Sequence, residues 1–282
     1  MKTKKKLSVT FLSLLAICFN LNAQRSPDDP KHENHYSVEK IDNDDLTIEF
    51  FDAHSQQEFT KVKLKITNKT KDYIFFKSSE AVFKYAHGDY KPKSGGMFKG
   101  MDLLIEPMAT ETKVLTVSGD KKFHVKELKV ELNGFYKIPA DGKVQEVPDF
   151  QLPPANNDFT AGPFKCNLEK SKQETKETSS QFKCVYQGKE VAFVDPAKLS
   201  VKIKSGQLYA NDNRKDKMEM LMPGEETKFT AQFHVPGKIE DMQFATMFIV
   251  WKETFSESKM VPMKMMSANF VFDPGVTEGK NK

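Results

Sequence analysis

Apolar residues recur at every second position over short spans of this chain, and polar stretches bearing Gly, Pro, Asn or Asp separate those spans. LTIEFF (46–51), FTKVKLKI (59–66), TKVLTV (112–117), LKVEL (128–132) and KFTAQFHV (228–235) alternate, whereas DYIFF (72–76) and FATMFIVW (244–251) run apolar. Both patterns predict β-strands. No stretch carries a convincing apolar stripe at helical spacing. The polar run from Glu169 to Ser180 holds helix-forming residues without such a stripe and reads as an exposed connection. Short strands at this spacing predict an all-β chain of β-sandwiches.

A repeat organises these strands. Residues 46–76 can be laid on 164–194 at an offset of 118, which sets one polar connection on the other, NKTKD on QGKE, and YIFF on VAFV. Farther along, 102–117 lies over 218–233 with a small slip, and 128–136 over 243–251. Spaced repeats of this length predict duplicated domains rather than a solenoid. Pro153, Pro154, Asn156, Asn157, Gly162 and Pro163 cluster at the expected boundary. The expected division is a flexible arm over 24–35, a first sandwich over 36–152, a linker over 153–162, a second sandwich over 163–274 and a disordered tail over 275–282.

Residues 1–23 read as a secretory signal peptide. Lys2, Lys4, Lys5 and Lys6 precede the apolar run Leu7 to Phe19, and Ala23 stands before Gln24 as a cleavage position. The run is short for a transmembrane helix, and no second one follows, so the cleaved chain is expected to hold no transmembrane segment. Ile17 stands where a lipid-anchored Cys18 would need a small residue. The signal also explains the charge. Lys and Arg number 43 against 39 Asp and Glu, and removing four lysines and no acid leaves 39 against 39. No electrostatic case remains for nucleic acid or an anionic membrane as partner.

The triplet Phe-Lys-Cys occurs at 164–166 and 182–184. The repeat lays Cys166 on Ile48 and Cys184 on Ile66, core positions on strands expected to be neighbours. An exported pair so placed is expected to form a disulfide, worth roughly 3 kcal/mol through the unfolded chain's lost entropy. The spacing is not C-x-x-C, and no histidine lies near enough in sequence to complete a zinc site.

Methionine is unevenly spread, with nine of 13 after residue 217. Met218, Met220 and Met222, and again Met263 and Met265, recur at every second residue, which places each set on one strand face. Thioethers facing a cleft select Cu(I). Core filling is the competing reading, since Glu219 and Lys264 alternate with them. In YAHGDYKPKSGGMFKG (85–100), Tyr85, His87, Tyr90 and Phe98 lie in a Gly- and Lys-rich connection, and Tyr209 holds a corresponding place in the second half. Aromatics on such loops stack on sugars or anchor a partner. His32 and His35 in KHENHY do not match H-E-x-x-H and read as part of a solvated arm. NDNRKDK (211–217) lacks the glycine and distal glutamate of a calcium loop and reads as a polar loop tip. G-x-S-x-G, P-loop and Rossmann signatures are absent, and no cofactor is expected.

The signal peptide ending in Ala-Gln and the strand–turn–strand pattern VKLKITNKTKDYIFF (62–76) resemble exported bacterial proteins with tandem immunoglobulin-like domains. The resemblance implies two consecutive immunoglobulin-like sandwiches in the periplasm or outside the cell, acting as a binding or scaffolding module for an envelope protein or glycan. The antibody-type Cys…Trp…Cys order is missing, because Trp251 follows both cysteines. A periplasmic copper binder using the methionines and a polysaccharide-active enzyme are the alternatives.

Overall fold

The structure is a computed structural model describing residues 25–92 and 102–282; the expected signal peptide (1–23) and Phe98 lie outside them. Among the described residues the chain is nearly all β, and two hydrophobic cores form, each between two layers of sheet. In the first body one layer runs Ile41–Asp42, Leu46–Ser55, Phe59–Asn68, Thr110–Ser118, all antiparallel. Alternation does the expected work there. Leu46, Ile48, Leu64 and Ile66 are fully buried, while Glu49 and Lys65 pair on the outer face at 2.7 Å.

The facing layer bends in the middle. Its upper half holds Val82–Tyr85, Glu127–Leu132 and Met266–Phe272; its lower half holds Asp102–Ile105, Tyr73–Lys77, Phe135–Ile138 and Val261–Pro262. Gly134 makes the bend, at φ +85°, where a Cβ would stand 2.5 Å from the Lys77 carbonyl oxygen. Asn34–Val38 joins the layers, pairing first with Leu46–Ser55 and then with Met266–Phe272.

The second body follows the same pairing at the offset of 118. Ile48 and Ile66 are cross-strand partners, and so are Cys166 and Cys184, which form a disulfide. Asp158–Ala161 pairs with Phe164–Gln173 as Ile41–Asp42 pairs with Leu46–Ser55. The run from Glu169 to Ser180, expected as a connection, is instead the far half of the hairpin Phe164–Gln173 and Glu177–Tyr186. Its ladder registers Lys172 with Ser179, and the small polar side chains of Thr178 and Ser180 face inward, fully buried. Polar residues small enough for a sheet interior erased the alternation that marks a strand.

The segment 211–217 is also more than a loop tip. It lies along the outer edge of Glu226–His234. The Asp212 N–H donates to the Gln232 carbonyl (2.8 Å), the Gln232 N–H to Asn211 Oδ1 (2.8 Å), and the Thr230 N–H to Asp216 Oδ2 (2.5 Å). Asn213 Nδ2 donates to the Thr230 carbonyl at 2.9 Å. Backbone and side chains together occupy the place of a missing strand.

The last strands of the two bodies are exchanged. Lys143–Val144 and Phe150–Leu152 follow the first body's Phe135–Ile138, yet pair with Phe255–Ser258 and Met247–Val250 of the second. Val261–Pro262 and Met266–Phe272 follow Phe255–Ser258, yet return to Phe135–Ile138 and Glu127–Leu132 of the first. The two closing segments are equivalent: Val144 meets Ser256 as Pro262 meets Tyr136, and Phe150 meets Ile249 as Ala268 meets Val130. This is strand swapping between two halves of one chain.

The exchange corrects the expected boundaries. The chain crosses between bodies at 139–142 and again at 259–260, not at a linker over 153–162, and 266–272 belongs to the first body's sheet. The expected tail is ordered: Pro274–Lys280 is a helix whose N-cap Asp273 accepts from the Val276 N–H at 3.0 Å. Asn281 is buried and bonds the Glu33 main chain in both directions. The expected arm is correspondingly fixed, with His32, Asn34 and His35 buried. An apolar strand face records that a sheet will cover it, not which sheet.

Candidate functional site

The strands that run apolar explain where the bodies meet. In Tyr73–Lys77, Ile74 and Phe76 enter the first core while Tyr73 and Phe75 face outward; in Val191–Val194, Ala192 and Val194 enter the second core while Val191 and Phe193 face outward. The outward sets form a third apolar cluster with Ile138, against which Met218, Met220, Met222 and Met260 pack. Strands buried on both faces lose their polar alternation.

At this seam lies a cleft of about 410 Å³, lined by Tyr73, Asp141, Phe193, Asp195, Lys198 and Glu253 among others. The rings of Tyr73 and Phe193 form its floor, centroids 5.0 Å apart and tilted by 30°. Tyr73 donates its hydroxyl to Met218 Sδ at 3.3 Å. Burial pushes that hydroxyl's pKa above its ordinary value, and the nearby Glu106 and Asp195 carboxylates push it further. Asp195 caps the short turn Pro196–Lys198 by accepting from the Ala197 N–H at 3.1 Å. Lys198 reaches Glu253 at 3.6 Å across the rim.

Glu253 has φ +48°, in a turn closed by the Thr254 N–H donating to the Trp251 carbonyl at 2.7 Å. A non-glycine residue held there costs on the order of 1 kcal/mol, a strain found more often at functional rims than elsewhere. At the positions corresponding to Asp195 and Lys198, the first body has Lys77 and Glu80, which are engaged with each other's surroundings. Lys77 lies over the Tyr136 ring at 4.9 Å, and Tyr136 donates to Glu80 at 2.8 Å. The cleft therefore offers an apolar floor and a rim of acceptors, several of them fixed by structural bonds.

The residues expected to bind do not converge on this cleft. Tyr85 is buried against Phe123 (5.4 Å), stacks on His87 (5.2 Å) and meets Tyr90 edge-on (5.5 Å) in the hairpin Val82–Tyr85, Gly88–Tyr90. Tyr209 lies in the other body, packed against the second core with its hydroxyl buried and unpartnered. Met218, Met220 and Met222 sit at the seam, Met263 packs on the first core, and Met265 is exposed. His32 pairs not with His35 but with His124, ring nitrogens 2.9 Å apart, while His35 bonds Glu33 at 2.9 Å. Among the described residues no three His, Cys, Asp or Glu side chains converge to hold a metal ion, and no helix is long and apolar enough to cross a membrane. Sequence reading missed the cleft residues; the uninterrupted YIFF and VAFV were the available signal.

No family model matches the chain, and no curated protein sequence does. Partial overlaps exist with solved structures. The yjhA protein from Bacillus subtilis superposes over 28% of this chain and 70% of its own at 12% identity and a TM-score of 0.24. The exo-β-D-glucosaminidase CsxA overlaps 78% of this chain, 26% of its own, at 12% identity and a TM-score of 0.26. The tandem CBM22-1–CBM22-2 domain of Paenibacillus barcinonensis Xyn10C overlaps 81% of this chain and 94% of its own at 10% identity and a TM-score of 0.12. Superpositions of this quality establish no common fold.

Proposed function

We propose that this chain is an exported, non-enzymatic binding or scaffolding module of the cell envelope, in which two duplicated immunoglobulin-like sandwiches hold a protein or glycan partner at their seam. The observation that carries the reading is the reciprocal exchange of closing strands, with the cleft at the crossing. Exchange ties two bodies into one frame, and clefts between such bodies are common ligand sites. The matching register at one offset supports duplication. The buried disulfide supports an oxidising compartment. Asp195 as a cap and Glu253 as an ion-pair partner support binding over acid–base chemistry.

Two measurements test this. Protein recovered from its own cells should begin near Gln24 and label with thiol reagents only after reduction; a retained leader or freely labelled cysteines refutes export. A photo-reactive residue in place of Ala140, at the mouth of the cleft, should give an adduct that Tyr73→Ala abolishes. Adducts identical to those from a probe at Val276 refute binding at the seam.

A further inference from the structure

The most exposed large apolar side chain among the described residues is Phe244, at 80% of its free exposure. Its loop is not loose. Met242 and Ala245, on either side, are buried in the second core; the Met242 N–H donates to the Thr175 carbonyl at 3.2 Å, and the Phe244 N–H to the Asp241 carbonyl at 3.2 Å. The backbone is pinned and the ring is held in solvent. A lone exposed ring is ordinary on a protein surface; this one gains meaning from the pinned loop that holds it and from the cavity beside it.

The ring borders a cavity of about 590 Å³ that shares no residue with the interdomain cleft, walled by Phe248, Lys202, Lys204, Glu240 and Thr246. Gly206 forms its far side, where an added Cβ would meet nothing within 4 Å. The charges cancel. Lys202 is bonded to Asp149 and lies 5.7 Å from the centre of the Phe248 ring, and Lys204 is matched by Glu240 in the same wall. No one-sign field is present to draw a polyanion or a polycation. What remains is one bare ring face, one cation, one carboxylate and one hydroxyl, which is a mixture of donors and acceptors around an apolar plane.

We propose that this wall is a second binding site, and that its ligand is a neutral glycan chain. The C–H face of a pyranose has the apolar, flat shape that lies on an aromatic ring, and its hydroxyls both donate and accept, matching Lys204, Glu240 and Thr246. The inference rests on the binding-module reading and adds to it a ligand class and a place outside the seam.

The test is calorimetric titration of the full chain with cellohexaose and with chitohexaose, two neutral chains of flat pyranoses. One of them should bind, Phe244→Ala should weaken it at least tenfold at an unchanged melting temperature, and Phe51→Ala, which removes an exposed ring from the first body, should leave it unaltered. Absence of binding to both sugars overturns the proposal, as does Phe244→Ala binding like the parent. Binding lost in Tyr73→Ala but retained in Phe244→Ala overturns the second site while leaving partner capture at the seam intact. The Ala140 adduct reads that seam independently of sugar.

Discussion

At the scale of single residues, the disulfide and the histidines show how little separates a structural group from a chemical one. Cys166 and Cys184 occupy the places of Ile48 and Ile66, so the bond replaces an apolar cross-strand contact inside the core. Replacing both by Ala should lower stability by about 3 kcal/mol in urea unfolding, and an unchanged midpoint would show that the cross-link is idle. His124 behaves differently. Burial, aided by the neighbouring His32, holds its pKa below the ordinary 6.5. The unfolded chain therefore takes up this proton first, and stability falls as pH drops through the ordinary value toward the lowered one. Amide protection factors over 32–36, each referred to the intrinsic exchange rate at its own pH, should fall from pH 7 to pH 5, and His124→Asn should flatten that dependence; equal profiles would remove His124 as the cause.

At the scale of elements, the edge of Glu226–His234 is the informative case. An open edge invites pairing with another chain, and 211–216 closes this one with amide and carboxylate side chains in place of a strand. Asp216→Ala leaves the Thr230 N–H without its acceptor. The expected loss is about 1–2 kcal/mol, read in urea melts, together with concentration-dependent association in sedimentation. A variant as stable and as monodisperse as the parent would mean that the cover is decorative. The density of Asn and Asp in NDNRKDK was visible in the sequence, but the same residues serve loop tips and turns. Only the neighbouring strand's unpaired groups distinguish the two.

At the scale of the whole molecule, the exchange should merge two cores into one cooperative unit. Each body is closed by a strand that the other's chain segment supplies, so neither completes its sheet when the other is unfolded. A single calorimetric transition is expected, with calorimetric and van't Hoff enthalpies equal. Phe193→Ala, at the seam and 5% exposed, should cost about 3 kcal/mol and shift that one transition as a whole. Two resolved transitions, with only one moved by Phe193→Ala, would show that the bodies are independent beads.

By itself the sequence determined the strands whose alternation is clean, the offset between halves, and the partners Cys166 and Cys184. Those follow from local rules, in which one apolar face needs one cover and matching patterns imply matching registers. It misread Glu169 to Ser180, because Thr178 and Ser180 are polar yet small enough to be buried. It scattered the candidate site over Tyr85, Tyr209 and the methionines, while the cleft gathers Tyr73, Phe193, Asp195 and Glu253 from strands and turns far apart in the chain. Which sheet receives each closing strand was decided only in three dimensions. Phe150 is buried in the second core and Phe270 in the first, and an apolar strand face of this kind is a local property that fits either sheet, whereas the sheet it joins is fixed by contacts far apart in the chain.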